Sequence, residues 1–229
     1  MLLLALAAFL WVLVHVGIAG TALRGRLAAR LGEGGFRAAF SLTSVATITL
    51  LVLAWRSAPL IELWDTPDWL RWLSVALMLP AFLFFAASVA SPNPTAVEGK
   101  LGEAGPRGIQ RITRHPMLWS FSIWAALHLL AKGDAAGVLF FGAFLVTSLL
   151  GMPSIDSKLA ARQPEMWARL APSTSILPFG AILAGRNRLA LGEIPWVVWV
   201  AGAVAWAALL WLHPVIFGWP ALPPIGPPT

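Results

Sequence analysis

Four histidines are the residues of this chain best suited to chemistry, and two of them lie in apolar surroundings. His15 sits in Trp11-Val-Leu-Val-His15-Val-Gly17. His128 sits in the stretch Arg111 to Asp134, RITRHPMLWSFSIWAALHLLAKGD, with Trp124 one helical turn before it. A polar group inside an apolar span needs a partner or a function, so each imidazole marks a candidate site. One reading is a packed histidine satisfied by a carbonyl of a neighbouring helix. The other is a ligand: two neutral imidazoles on separate spans form a sensible axial pair for a haem iron in an apolar bundle. His115 opens the second stretch in Arg114-His115-Pro116, after Arg107 and Arg111. It reads as part of a topology-setting basic cluster or as an anion or headgroup site. His213-Pro214 reads as the stop of the last apolar run. Asp156 and Glu165 read as surface residues of an amphipathic segment.

The elements that must position these residues follow from composition. The chain has 229 residues, 59% hydrophobic and 11% charged, with mean hydropathy +0.78. Soluble domains run nearer a quarter charged. The fold class is therefore an all-α integral membrane protein in one domain. The net charge of +6 would suit a nucleic-acid partner. The cations sit in short loops beside apolar runs, where membrane topology needs them, so no nucleic acid is expected. The absence of cysteine excludes disulfides, thiolate metal sites and a covalently attached c-type haem. No Walker, Rossmann or HExxH motif is present.

Six apolar spans are expected, at about 2–22, 40–55, 69–90, 116–131, 135–152 and 194–212. Pro116 suits a first helical turn, where its missing N–H costs nothing. The fourth span is short against the ~20 residues of a full crossing. Pro153 to Glu193 mixes charged residues with Leu159, Trp167 and Leu170, as an amphipathic segment on the membrane surface would. Lys and Arg concentrate after the first, third and fifth spans. The positive-inside rule makes those connections cytoplasmic and puts both termini outside; the expected location is a bacterial inner membrane. On straight helices His15 and His128 are then offset by about 10 Å along the membrane normal. Bis-ligation of one iron requires that offset to close.

The residues also carry a resemblance. His15-Val-Gly17 before a basic loop, Phe36-Arg37 with Phe40-Ser41-Leu42, Arg114-His115-Pro116, Trp124-Ala-Ala-Leu-His128 and Gly133-Asp134 occur in order. Asp156-Ser-Lys158-Leu159, Trp167, Thr174-Ser175-Ile-Leu-Pro178-Phe179 and His213-Pro214-Val-Ile-Phe217-Gly218 follow. Together they resemble the NnrU family of membrane proteins, homologous to 15-cis-zeta-carotene isomerase. The resemblance implies haem b with ligands at the positions of His15 and His128, close to Trp124, Arg114 and His115. It implies a redox-linked cis–trans isomerase on a polyene or lipid, or an accessory role in nitrite and nitric oxide metabolism. The isomerase has a cysteine three residues before its second histidine, implicated in a ligand switch. This chain has Ala125 there. Arg-His-Pro opening a span is also similar to membrane S-adenosylmethionine-dependent methyltransferases of the isoprenylcysteine and phospholipid type. Their Tyr and Gly after the motif, and their later Glu pair, are missing here. The expected partners are membrane lipid and a small hydrophobic substrate.

Overall fold

The computed structural model describes residues 1–96 and 99–223. The proline-rich end of the tail, expected to be uncharged, lies largely outside the described residues. Among the described residues the chain is helical, with a single isolated bridge between Glu62 and Asp134. Helix α1 spans Leu2–Val12 and runs into a π-helical turn, Leu13–Ile18. Helix α2 covers Ala22–Arg56 with a break at Gly32, whose φ of +74° is open to glycine. Next come α3 (Asp68–Ala90), the short α4 (Ile109–Ile112), α5 (Pro116–Lys132) and α6 (Ala135–Arg162). The short α7 (Pro164–Leu170) and α8 (Gly180–Leu183) precede α9 (Trp196–Phe217).

Four of these helices, α2, α3, α6 and α9, are long and apolar enough to cross a membrane. The expected count of six is not reached on that measure. The first and fourth expected spans form helices of 17 residues, Leu2–Ile18 and α5. At 1.5 Å per residue each is about 25 Å long, short of the ~30 Å hydrocarbon layer. These two short helices carry His15 and His128. Large apolar side chains point outward, among them Leu42 at 72% and Trp211 at 78% exposure. That surface suits lipid better than water.

Three expectations need correction. Helix α6 does not stop at Met152 but continues through Pro153 to Arg162. Its extension is held by side chains: Ser154 Oγ donates to the Gly20 carbonyl and Lys158 Nζ to the Ala19 carbonyl. Asp156, expected on the surface, is buried in that extension. Helix α9 does not stop at His213-Pro214 but runs to Phe217, closed by Gly218 at φ +77°.

Helix α5 packs against α3 and α6, and α1 against α2 and α6. The core where α1, α2, α5 and α6 meet is made of Leu4, Ala7, Ala8, Leu51, Ala54, Ala125, Phe140 and Phe141. Small residues let backbones approach, as membrane helices need when no water drives association. Gly202 on α9 shows the same device, since a Cβ there would come within 3.0 Å of Leu83. The C-terminal turn of α5 is capped from the loop before α3. Gly133 takes φ +68°, its carbonyl accepts from the N–H groups of Leu63 and Trp64, and Trp64 Nε1 donates to the Leu130 carbonyl.

Candidate functional site

His15 lies in the π-helical turn, a local widening that is common at functional sites. Its Nδ1–H donates to the Trp11 carbonyl at 2.9 Å. Nε2 then carries the lone pair, and the Ser44 hydroxyl on α2 donates to it at 3.4 Å. This tautomer is assigned from the hydrogen-bond partners. The ring rests on the Trp11 indole, 3.9 Å between centres, with Phe40 edge-on at 5.4 Å.

His128 is anchored in the same way, its Nδ1–H donating to the Trp124 carbonyl at 2.8 Å. Its Nε2 has no hydrogen-bond partner among the described residues. Trp124 and Phe141 flank the ring at 5.4 and 5.0 Å, and His213 lies 6.5 Å away with the two planes at 24°. An imidazole with Nδ1 fixed by a carbonyl and Nε2 bare is oriented as metal-binding histidines are.

The structure does not bring His15 and His128 together. The ring contacts between them pass through Trp11, Phe144 and Trp124, each step 3.9–5.4 Å. The offset expected from sequence persists. Ser154 meets Gly20, which sets His15 near the level of residue 149 on α6, whereas His128 packs on Phe141. Eight residues of helix is roughly 12 Å. Two axial nitrogens each lie only about 2 Å from one metal ion. His15 and His128 could serve one iron only if the helices that carry them shift along one another by that offset. His128 by itself has the chemistry of a single metal donor: a free ring nitrogen, a fixed ring and aromatic walls. No group of three or more His, Asp or Glu suited to a metal ion occurs among the described residues.

The other candidates form a separate cluster at the opposite end of α5. His115 was expected at a membrane interface, yet it is 0% exposed. Its Nε2–H donates to Asp156 Oδ1 at 2.8 Å. Arg114 clamps the same carboxylate, Nε at 2.9 Å and Nη2 at 2.5 Å, and its guanidinium lies over Trp167 at 5.3 Å. His115 Nδ1 is buried without a partner. Asp156 is the site residue that sequence reasoning undervalued. It lies 41 residues from His115, and no helical spacing links them. Beside this cluster, Arg111 donates to Glu193 through Nε and Nη2, both at 2.8 Å, and the Gly108 N–H adds a third bond. Those hydrogen bonds, the guanidinium's first, hold the Glu193 carboxyl at about 2. Cavities of about 390 and about 480 Å³ open at this end, the first beside Gln110 and Glu193, the second beside Arg114 and Arg186.

Fold and site together define a helical membrane protein with histidines placed inside an aromatic core. A family model described as NnrU protein matches residues 3–221, and the chain belongs to that family. It is similar to the chloroplastic 15-cis-zeta-carotene isomerase of Arabidopsis thaliana, 28% identical over 185 residues, 79% of this chain and 50% of that protein. It is also similar to the maize (Zea mays) 15-cis-zeta-carotene isomerase, 37% identical over 82 residues, 36% of this chain and 22% of that protein. The chain thus spans half or less of the length of these curated relatives. No solved structure matches it. Nothing in these findings supports the methyltransferase reading.

Proposed function

We propose that this protein is an isomerase-like membrane protein that converts a cis double bond of an apolar polyene, or a polyene-like lipid, to trans, with haem b held through His128. The observation that carries the reading is the bare Nε2 of His128, fixed between Trp124 and Phe141 in a chain similar to carotene isomerases. A haem bound there would supply a redox-tunable Lewis acid that can weaken the π bond about which rotation occurs. The chain's own residues do the rest. The aromatic row from His15 through Trp11, Phe144 and Trp124 to His128 offers an elongated apolar face to a rod-like substrate. The outward-facing Leu, Val and Trp side chains let such a substrate enter sideways from the bilayer. The Arg114–His115–Asp156 cluster fixes the start of α5 on α6. By the distribution of Lys and Arg, the Arg114 end faces the cytoplasm and the His128 end the outside of a bacterial inner membrane.

The test uses the protein in liposomes, with and without added hemin, given 15-cis-zeta-carotene. Stoichiometric hemin uptake with a Soret band, and conversion to the all-trans chromophore only in the loaded protein, is the expected result. Absence of both sinks the reading. Tight S-adenosylmethionine binding without a Soret band would favour a methyltransferase centred on Arg114, His115 and Asp156 instead.

A further inference from the structure

We propose that the cavity between Arg114 and Arg186 binds the phosphodiester headgroup of an anionic membrane lipid, with Arg186 as its principal cation. The site lies at the opposite end of α5 from His128 and does not depend on haem.

Arg186 Nη1 donates to the carbonyls of Pro172 at 2.8 Å and Thr174 at 3.1 Å. Those bonds fix the guanidinium without neutralising it. Among the described residues no carboxylate pairs with Arg186. Its Nε–Nη2 edge makes no hydrogen bond there either. That edge is the fork with which arginine grips two oxygens of a phosphate. The other guanidinium lining the cavity is already balanced, because Arg114 gives Nε and Nη2 to Asp156. Arg114, Asp156 and Arg186 together leave one uncompensated positive charge, which complements a phosphodiester monoanion.

The cavity wall is the segment from Ala171 to Arg186, and it is stitched onto α4 and α5. The Arg114 N–H donates to the Ser175 carbonyl at 3.0 Å, and the Phe179 N–H to the Ile112 carbonyl at 2.8 Å. Thr113 Oγ1 and Trp119 Nε1 both donate to the Ile176 carbonyl, at 2.7 and 2.8 Å. Asn187, next to Arg186, donates through Nδ2 to the Ser173 carbonyl at 2.6 Å and accepts from Arg111 Nη1 at 2.6 Å. About 480 Å³ stays open inside this frame. That is the size of a small-molecule site with its walls already formed.

The same segment is apolar on its outside. Leu177, Phe179 and Leu183 are exposed, Leu183 at 85%. Phe179 holds φ at +63°, the one non-glycine residue with positive φ among the described residues. Strain of that kind persists where the surrounding bonds over-determine it. A soluble phosphate would leave these side chains in water. A lipid uses both features, its acyl chains along Leu177 and Leu183 and its phosphate on Arg186.

The test is titration of delipidated full-length protein in detergent with dioleoyl phosphatidylglycerol, read by native mass spectrometry and thermal unfolding. Wild type should bind one lipid tightly and melt at a higher temperature with it. Dioleoylglycerol, without phosphate, should not bind. Glycerophosphoglycerol, the same headgroup without chains, should bind far more weakly. Arg186→Gln should weaken phosphatidylglycerol binding about tenfold or more, and Arg186→Lys should restore part of it. Leu183→Ser, at an exposed position, should also weaken it. Arg188→Gln, outside the cavity lining, should not. Gel filtration checks that each variant folds, and the ligand series on wild type needs no variant. The proposal is overturned if folded Arg186→Gln binds the lipid like wild type. Equal losses in Arg186→Gln and Arg188→Gln would overturn it too, as diffuse surface charge. So would glycerophosphoglycerol binding as tightly as the lipid, which would make this a site for a soluble phosphate.

Discussion

Helix α5 carries one histidine near each end, and the chain treats them in opposite ways. His115 is sealed from solvent, and its Nε2 is committed to Asp156, which Arg114 also grips. His128, thirteen residues on, has no carboxylate. It gives only Nδ1 to a carbonyl of its own helix. A carboxylate partner uses the imidazole to join two helices. A backbone partner orients the ring and leaves the other nitrogen for chemistry. The motif Arg-His-Pro attracts the eye first, yet it is the anchoring end, and the plainer His128 keeps a ring nitrogen free. The same contrast separates His15 from His213, one already engaged by Ser44 and the other bare at Nε2.

The largest effect is expected from breaking the anchor. Asp156→Asn leaves the Arg114 guanidinium, 11% exposed, without its counter-charge. Removing one partner of a buried pair costs about 3–5 kcal/mol, because the other charge stays buried. Thermal unfolding in detergent should show a large drop in melting temperature. The double variant Arg114→Met with Asp156→Leu should recover much of it, since an apolar pair of similar volume avoids the desolvation penalty. The folded fraction of Asp156→Asn should still take up hemin with an unchanged spectrum. A lost Soret band at full folding would mean that the two ends of α5 are not separate in role.

Much of this division is legible in the sequence, and the illegible part has a physical cause. Helix positions follow apolar runs, so α3 and the start of α9 fall within two residues of expectation. Helix ends are poorly marked where side chains from distant helices complete them. Pro153 looks like a stop, but Ser154, Asp156 and Lys158 find partners on other segments and carry the helix onward. His15 and His128 stand out because polar residues are rare in apolar runs. The nearness of His213 to His128 does not, because it depends on how α9 leans against α3 and on the turn at Gly218. Neither leaves a periodic signal.

A smaller loss should come from the turn that closes the His128 end. An Ala at Gly133 would place its Cβ 2.3 Å from the Trp64 carbonyl, at a φ of +68° that L residues seldom adopt. Such strain costs about 1–3 kcal/mol. The carbonyls of Leu130 and Ala131 receive Trp64 and Thr66, so pushing this loop away frays the last turn of α5. Gly133→Ala should therefore lower the melting temperature less than Asp156→Asn does, yet disturb the hemin spectrum more. If the spectrum is indifferent to Gly133→Ala, the position of His128 does not depend on this cap.

The smallest effect belongs to Glu193, at the same end as His115 but outside the spans. Its carboxyl is held at about 2, against an ordinary 4.5, first by the hydrogen bonds from Arg111 and then by the Gly108 N–H. A carboxylate with a depressed folded-state pKa contributes stability that is fully present above its unfolded value. That contribution is lost as pH falls through the folded value. Between pH 4.5 and 2 the wild type should therefore lose stability that Glu193→Gln never had. The group is close to solvent, so screening keeps the contribution small. Melting temperatures at pH 7, 4.5 and 2.5 would measure it. Glu193→Gln should lie below wild type at pH 7 and converge on it at pH 2.5. Parallel curves would show that the Arg111 contact does not hold α4 to the start of α9, and that the anchoring at this end rests on Asp156 alone.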